Sequence, residues 1–443
     1  RITGTVAVGD DATREIGTVN DPSELRGWEL GDGEPIRALV RIDAVQAAHA
    51  RHLLGSVEEL PDGGVVAVDD EGRPNGLLEE QAQQLVRSLV HPRSVAEMST
   101  NLGLASDRYL SEGITSCQEA GVGGILGTAE PVEVAAYQQA RRANRLRVRV
   151  TMMASVDALH SCAHHADDNE PFSLDLGMHT GFGDDWLRYG ATKIFADGSL
   201  MGCTAAMFED FDGQPGNNGY FQMPESRLHE LILAAHRSGW QVATHAIGDR
   251  AVSSVLDGYE AALQQYPRAD HRHRIEHAGM TRAADVDRIA RLGVIPVPQA
   301  RFVSEIGDGM LRAIGPDRVG DCYRQRSFLD AGVTLPGSSD RPVVNGAPML
   351  GIHDLVNQRT ASGADFNPAE ALTIDEAIHA YTVGSATASF DEHRKGSITS
   401  GKLADLVVLD TDLTAIEPDG IGDTKVLATM VGGNFEFDGA SLS

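Results

Sequence analysis

The chain of 443 residues has few cysteines and few basic residues. Its four cysteines are far apart and include no C-x-x-C pair, so neither a disulfide framework nor a zinc knuckle is indicated. We therefore expect a reducing compartment, the cytoplasm. Lysine and arginine number 37 against 64 acidic residues, which gives a formal charge of -27. This balance disfavours nucleic acids and anionic membranes as partners, because binding phosphate needs clustered basic residues.

Long hydrophobic runs are also missing. No apolar run reaches the roughly 18 residues of a membrane-spanning helix, and no secretory signal is recognisable. The chain starts at Arg1 rather than methionine, so we expect the natural N-terminus to lie upstream. A small-molecule substrate is therefore the expected partner. The sequence leaves the oligomeric state open, a homo-oligomer included.

Short β-like runs alternate with amphipathic helical stretches from about residue 113 onward. Strand followed by helix, repeated, predicts parallel strands joined by right-handed crossovers, and many such repeats favour a (β/α)₈ barrel. Only seven runs are found where a closed barrel has eight strands. The seven predicted strands fall within residues 113–121, 145–154, 191–199, 240–249, 273–279, 292–299 and 332–340.

Both chain ends are β-like and differ in character from the middle. The first residues, RITGTVAVGDD, and the Gly-punctuated runs GSITSGKLADLVVLD and KVLATMVGGNFEF predict antiparallel strands. We predict an α/β fold: a TIM-type (β/α)₈ barrel with a small β-sandwich domain formed from both chain ends. The predicted domains are residues 1–16 and 390–443 for the sandwich, 17–112 for an insertion or lid and the barrel entry, and 113–389 for the barrel.

A lysine interrupts one of the apolar runs. Lys193 lies in ATKIFA, which predicts a buried strand that ends at Asp-Gly. A buried ammonium costs several kcal/mol unless it is paired or chemically changed. An ion pair with Asp197 or Glu119 is one explanation. The other is that the amine reacts with carbon dioxide, which gives a carbamate anion that can bridge metal ions.

Polar residues end three further predicted strands. His245 ends QVATHAIGD, His277 ends HRIEHAG, and Asp340 ends TLPGSSD. In a parallel barrel the functional groups collect at the carboxyl ends of the strands, and two imidazoles with a carboxylate suit zinc or a similar divalent ion. Each residue alone has an ordinary structural explanation. Lys193 and these three residues, which all lie near the ends of predicted strands, together predict a metal site.

These segments resemble a known family. KIFADGSL, THAIGDRAV, RIEHAG and GSSDRPV are similar to the strand-4, -5, -6 and -8 signatures of the amidohydrolase superfamily. The closest resemblance is to amidohydrolase family 3, the group of N-substituted formamide deformylase-like metal-dependent hydrolases. GKLADLVVLD is similar to the point where such chains return to their β-sandwich.

The resemblance implies specific roles. Lys193 is a carboxylated bridging ligand, His245 and His277 bind the second metal, and Asp340 contacts a metal and acts as general base. The implied cofactor is a divalent metal, zinc above all, as one or two ions. The implied reaction is hydrolysis of a non-peptide C–N bond in a small molecule by metal-activated water.

One family feature is missing. The strand-1 His-x-His motif does not occur, and the letters HRH at 271–273 precede the strand that carries His277. We expect that residues are absent from the sequence near positions 16–17, and the alternative is a genuine deletion. Two rival functions therefore stay open. One is the same fold acting on an ester, a cyclic amide or a deaminated ring, and the other is a non-catalytic binding or regulatory homologue with a degenerate metal site.

Overall fold

The structure is a computed structural model. It describes residues 93–124, 130, 132–168 and 171–441 and, before them, the backbone of five strands. The chain divides into two units, Arg1–His91 and Pro92–Ser443. The junction near residues 16–17, and with it the predicted missing strand, lies outside the described residues.

The first unit contains two small antiparallel arrangements. Its strands are β1 (Thr3–Val8), β2 (Ala12–Glu15), β3 (Ala38–Arg41), β4 (Gly64–Val68) and β5 (Pro74–Glu80). Strand β1 pairs with β2 on one side and β3 on the other, and β4 pairs with β5. The β-like character predicted for the first residues is confirmed.

Strands and helices alternate in the second unit. Its strands are β6 (Ser116–Val122), β7 (Arg149–Ser155), β8 (His160–Ser161), β9 (Phe172–Ser173), β10 (Leu187–Phe195), β11 (Val242–Ala246), β12 (Arg274–His277), β13 (Ile295–Val297), β14 (Leu406–Leu409), β15 (Val426–Val431) and β16 (Asn434–Asp438). Its described α-helices are α1 (Val95–Ser111), α2 (Glu133–Arg142), α3 (Glu225–Arg237), α4 (Asp249–Gln265), α5 (Ala283–Leu292), α6 (Ala300–Ile314), α7 (Gln325–Asp330), α8 (Pro348–Asn357), α9 (Ile374–His379) and α10 (Ser385–Ala388). No described helix is long and apolar enough to cross a membrane.

Six strands form one parallel sheet in the order β13-β12-β11-β10-β7-β6. Apart from the short β8–β9 pair, strands that follow one another along the chain are neighbours in this sheet. α-Helices lie between them except between β7 and β10, so the sheet is the curled half of a (β/α) barrel. Six of the seven predicted runs are therefore confirmed as parallel strands.

The seventh run is not a strand. Residues 332–340 do not pair with any strand, and the prediction of a strand there is wrong. Its backbone bonds instead to the following helices: Gly337 donates its N–H to the Ala380 carbonyl (2.8 Å), and the Ser385 hydroxyl donates to the Gly337 carbonyl (3.0 Å). Backbone groups satisfied in this way have no need of a neighbouring strand.

The sheet has an apolar layer on each side. Met153, Ala191 and Ala243 form a small buried cluster with Ala120 on the inner, concave side. The larger core lies between the outer side and the helices, and Ile194, Val242 and Ile275 belong to it. Because side chains alternate along a strand, these two sets show which residues of each strand point inward.

The C-terminal part forms a separate sheet. Strands β14, β15 and β16 pair antiparallel in that order, as the Gly-punctuated runs predict. Upstream of them, Thr373 and Glu376 form a capping box at the start of α9. That both chain ends build one sandwich stays a prediction, as do the domain boundaries.

Candidate metal centre at the strand ends

Alternation along the strands points two predicted ligands inward. Lys193 lies two residues after Ala191 on β10, and His245 lies two residues after Ala243 on β11. Both alanines belong to the inner layer, so both side chains enter the concave side near the carboxyl ends of their strands. The centroid of the His245 ring is 5.4 Å from that of the Phe195 ring, and Phe195 lies on β10 with Lys193.

His277 reaches the same place by a local turn. On β12 its register partner is Ala246, so alternation alone would turn it away from His245. Its φ is 74° and that of Ala278 is 43°, both left-handed, so the chain swings at the end of β12. The His277 ring then meets the His245 ring edge to face, with 4.5 Å between centroids and 71° between planes. We call these two residues the mouth pair.

Each ring of the mouth pair keeps one nitrogen free of hydrogen bonds to the described residues. His245 Nε2 donates to the Gly198 carbonyl at 2.9 Å and lies 3.4 Å from Asp197 Oδ1, which leaves Nδ1. His277 Nδ1 bonds Gln299 Oε1 at 2.6 Å, which leaves Nε2. Imidazole binds metals through an unprotonated nitrogen while the other nitrogen is held by a neighbour.

Gln299 fixes the proton of His277. Its amide nitrogen donates to the Val297 carbonyl (2.7 Å) and to Ser338 Oγ (3.3 Å), so its oxygen must face the ring. An amide oxygen accepts only, and His277 therefore carries its proton on Nδ1. Sequence reasoning missed Gln299, although it ends the predicted strand at 292–299 and is polar.

Lys193 is buried without an ionic partner. It is 4% exposed, and among the described residues its amine has no hydrogen bond or ion pair. Its Nζ lies 4.8 Å from the centroid of the Phe195 ring. Burial lowers the pKa of Lys193, against the opposing effect of the Glu276 and Asp340 carboxylates. The predicted pairing with Asp197 or Glu119 is not formed, and the amine is shifted toward its neutral, reactive form.

Asp340 belongs to the same group of charges. Its φ is 59°, so its backbone is held in the left-handed region. Burial raises its pKa to about 6, the nearby Lys193 ammonium lowers it, and Glu276 raises it further. The following residue, Arg341, holds the loop by a bidentate pair with Glu112, the residue just after α1 (2.7 and 2.9 Å).

A buried brace lies behind the mouth pair. Arg274 donates to both carboxylate oxygens of Glu276 (2.7 and 2.9 Å) and across the sheet to Gln118 Oε1 (2.5 Å). Arg274 and Glu276 are 3% and 6% exposed. The brace ties β12 to β6 on the inner side and neutralises the Glu276 charge.

Glu119 points away from this site. Its neighbour Gln118 faces inward, so Glu119 faces the helices, where the Tyr137 hydroxyl of α2 donates to Glu119 Oε2 at 3.3 Å. Burial and the neighbouring Glu133 raise the pKa of Glu119 to about 7. The Tyr137–Glu119 bond is thus a contact between β6 and α2.

The histidines of the HRH segment lie at the opposite end of the strands. Val242 donates its N–H to His273 Nδ1 (3.0 Å), so His273 Nε2 carries the proton and bonds His236 Nδ1 (2.8 Å). His236 Nε2 in turn donates to the Tyr266 carbonyl (2.7 Å). His271 accepts from the His273 N–H at Nδ1 (2.9 Å) and donates from Nε2 to the Leu292 carbonyl (2.8 Å). We call His236, His271 and His273 the base trio.

The described donors make an incomplete metal site. Among the described residues, no group of three or more His, Cys, Asp or Glu side chains is placed to hold a metal ion. The mouth pair offers two suitable nitrogens, and metal sites in proteins use at least three protein ligands as a rule. The residues therefore fit a metal ion in part. A full set needs Lys193 as an anion, or donors from outside the described residues.

A curled parallel sheet with apposed imidazoles at its carboxyl edge is the arrangement of a (β/α)-barrel hydrolase. Comparison with known proteins gives the family. The chain belongs to the amidohydrolase family, whose profile matches residues 35–436.

Two relatives and one solved structure show how far the similarity extends. A putative amidohydrolase, YtcJ of Bacillus subtilis, is 30% identical over 85% of this chain and 68% of its own length. The N-substituted formamide deformylase of Arthrobacter pascens is 30% identical over 93% of this chain and 75% of its own. An uncharacterised metal-dependent hydrolase from Pyrococcus horikoshii OT3 shares the fold, with a TM-score of 0.68 at 24% identity over 86% of this chain and 71% of that one.

Proposed function

We propose that this protein is a metal-dependent amidohydrolase that cleaves a non-peptide C–N bond in a small amide. The observation that carries the proposal is the mouth pair. The imidazoles of His245 and His277, the first partly and the second fully buried, meet at the carboxyl edge of the sheet. Each has one ring nitrogen held by an acceptor and the other free of the described residues. Beside them lie a buried lysine and a carboxylate.

The metal would be held by these side chains. His245 through Nδ1 and His277 through Nε2 would be ligands, and Lys193 would join them as its carbamate. The depressed pKa of Lys193 favours that change, because only a neutral amine adds carbon dioxide. A bound ion of the zinc type lowers the pKa of its water to about 7 and polarises a carbonyl group.

Asp340 would move the proton. A carboxylate at the mouth takes a proton from the attacking water and returns it to the leaving nitrogen, a role that requires a pKa not far below the working pH. The pKa of Asp340, raised to about 6, meets that requirement. The left-handed backbone at Asp340 and the Arg341–Glu112 pair fix where this carboxylate stands.

The substrate class rests on the similarity to the Arthrobacter deformylase. We infer an N-substituted amide of low molecular weight, because that relative is 30% identical over most of both chains. Esters, cyclic amides and deaminated rings are the rival substrates on the same fold. A screen that sets N-substituted formamides and acetamides beside matched esters and lactams separates them.

The first experiment measures metal content and turnover in the full chain. We expect metal in the purified protein, and Asp340→Asn should lower turnover by about 10²- to 10⁴-fold, the range for a lost general base. The exposed Asp410→Asn serves as the control and should change nothing. Circular dichroism and metal analysis establish that each variant is folded and loaded.

Two results would contradict the proposal. Wild-type turnover in Asp340→Asn would remove the assigned base. A full chain that takes up no metal and hydrolyses nothing in the screen would favour the regulatory alternative, a binding protein with a degenerate site.

A further inference from the structure

Four residues that are not glycine have left-handed backbone at or near the candidate site. His277, Ala278, Asp340 and Tyr323 have φ values of 74°, 43°, 59° and 46°. Each such residue costs roughly 1–2 kcal/mol when it is not glycine, and such strain persists where the surrounding structure enforces it, above all at functional sites. Three of these four residues are already placed in the site or next to a ligand. Tyr323 has no assigned role.

The backbone at Tyr323 is tied to the end of β12. Its N–H donates to the Gly279 carbonyl at 2.9 Å, and Cys322 forms an isolated bridge with Met280. Gly279 follows Ala278 directly, so the strained turn that aims His277 also anchors Tyr323. The two side chains are therefore fixed by one piece of backbone.

Aromatic contacts place the Tyr323 ring beside the mouth pair. The ring packs edge to face on Phe302, with 6.3 Å between centroids, and Phe302 stacks on the His277 ring at 5.8 Å and 23°. On its other side Tyr323 meets Phe366 at 6.3 Å. The ring is thus clamped between two phenylalanines, one ring away from His277.

The Tyr323 hydroxyl differs from those of Tyr259 and Tyr381. Tyr323 is 1% exposed, yet its hydroxyl makes no hydrogen bond to any described residue. By contrast, Tyr259 bonds the Arg274 carbonyl at 2.7 Å, and Tyr381 bonds the Ser338 carbonyl at 3.2 Å. A phenol hydroxyl that makes no such bond is available to donate to water or to a bound molecule.

The electrostatic surroundings keep this hydroxyl a donor. Burial raises the pKa of Tyr323, and the Cys322 and Asp340 charges raise it further. The phenol therefore stays protonated at neutral pH.

We infer that Tyr323 is a substrate-contacting residue whose hydroxyl donates a hydrogen bond to the oxygen of the substrate's acyl group. The inference rests on the proposed function and adds a donor to it. A donor held in place before the reaction stabilises the negative charge that develops on a carbonyl oxygen during hydrolysis. The phenylalanine clamp supplies the fixed position.

The test compares Tyr323→Phe with Tyr137→Phe in the full, metal-loaded chain. Both remove one buried hydroxyl, but Tyr137 lies between the outer side of the sheet and α2. On a panel of N-substituted formamides, Tyr323→Phe should lower kcat/KM about 10- to 100-fold, and Tyr137→Phe should not. Metal content and thermal midpoint are measured for every variant.

Replacing the carbonyl oxygen by sulfur makes the test specific. A thioformamide accepts a hydrogen bond less well, so the wild-type protein should prefer the oxygen substrate by a larger factor than Tyr323→Phe does. The ratio is taken within each variant, so a partly unfolded fraction cancels. Equal ratios in the two proteins, or an unchanged kcat/KM, would overturn the inference.

A failure of the proposed function gives a different pattern. If the wild-type protein hydrolyses no member of the panel, the proposed function fails, and binding of the same formamides is measured by calorimetry. Tyr323→Phe must then bind them at least several-fold more weakly than the wild type and Tyr137→Phe. Equal binding, or no binding by the wild type, would overturn the inference too.

Discussion

The mouth pair and the base trio are two groups of histidines at opposite ends of the same strands. They differ in how many of their ring nitrogens are hydrogen-bonded to the protein. In the base trio every ring nitrogen has a protein partner, and backbone groups fix each proton. In the mouth pair each ring has one nitrogen engaged and one free of the described residues. His277 is as buried as the residues of the base trio, so burial alone does not distinguish the two groups.

The difference shows how a structural histidine is told from a ligand. A trio whose donors and acceptors are all matched has nothing left to offer a metal ion. In a pair where one nitrogen of each ring is hydrogen-bonded and the other is not, the two remaining nitrogens can serve as metal ligands. The count of hydrogen bonds therefore assigns the roles where residue type and burial do not.

The largest expected effect comes from one substitution made at both ends of β12. His277→Phe should abolish metal binding and turnover and change the free energy of unfolding of the metal-free protein by only about 1 kcal/mol, one hydrogen bond. His273→Phe should keep metal and activity but destabilise by about 2–4 kcal/mol, because Val242 and His236 lose buried partners. Urea unfolding and metal analysis measure the two effects. Identical phenotypes for the two variants would contradict the assignment of a metal-binding role to His277 and a structural role to His273.

Gln299 should set metal affinity without touching the metal. Gln299→Met removes the acceptor that holds the proton of His277 on Nδ1, and affinity should fall about 10- to 100-fold. Gln299→Glu keeps an oxygen there and is the matched control, with a smaller loss. Competition with a chromophoric chelator measures both. An unchanged affinity in Gln299→Met would mean that the ring is oriented by other contacts.

Acid should weaken the base trio. Burial lowers the pKa of His273 well below its ordinary value and also lowers those of His236 and His271. The unfolded chain takes up these protons near pH 6.5, so stability is complete above that pH and is lost as the pH falls below it. Each group contributes up to about 1.4 kcal/mol per pH unit. Unfolding of the metal-free protein at pH 7.5 and 5.5 measures the loss, and His273→Phe should lose less than the wild type.

The smallest effect is expected at Glu119. Its carboxyl faces α2 and not the site, and its pKa is raised to about 7, so a neutral side chain is tolerated there. Glu119→Gln should change turnover less than about twofold and stability by under about 1 kcal/mol. Kinetics and thermal unfolding suffice. A tenfold loss of activity would place Glu119 in the site after all.

Much of this arrangement could be predicted from sequence. Apolar runs that end in a polar residue located Lys193, His245 and His277 at strand ends, because alternation and parallel topology are local rules. The same rules would have shown Glu119 to face outward once Gln118 was assigned inward. Gln299 carried the same signal, a polar residue at the end of a predicted strand.

Other features could not be predicted in this way. The turn of His277 toward His245 depends on two left-handed residues that are not glycine, and no pattern marks them. Residues 332–340 looked like a strand but bond to helices that come later in the chain. Tyr323 lies in an irregular segment, so its place near the mouth depends on tertiary contacts alone.

The brace behind the mouth pair has a consequence for the route that substrate and product would take. Arg274, Glu276 and Gln118, with the small apolar layer around Ala191, occupy the concave side of the described sheet. Under the proposed function, substrate and product would both pass the carboxyl ends of the strands. A product that has not departed blocks the next arrival, so inhibition by product should be competitive with substrate.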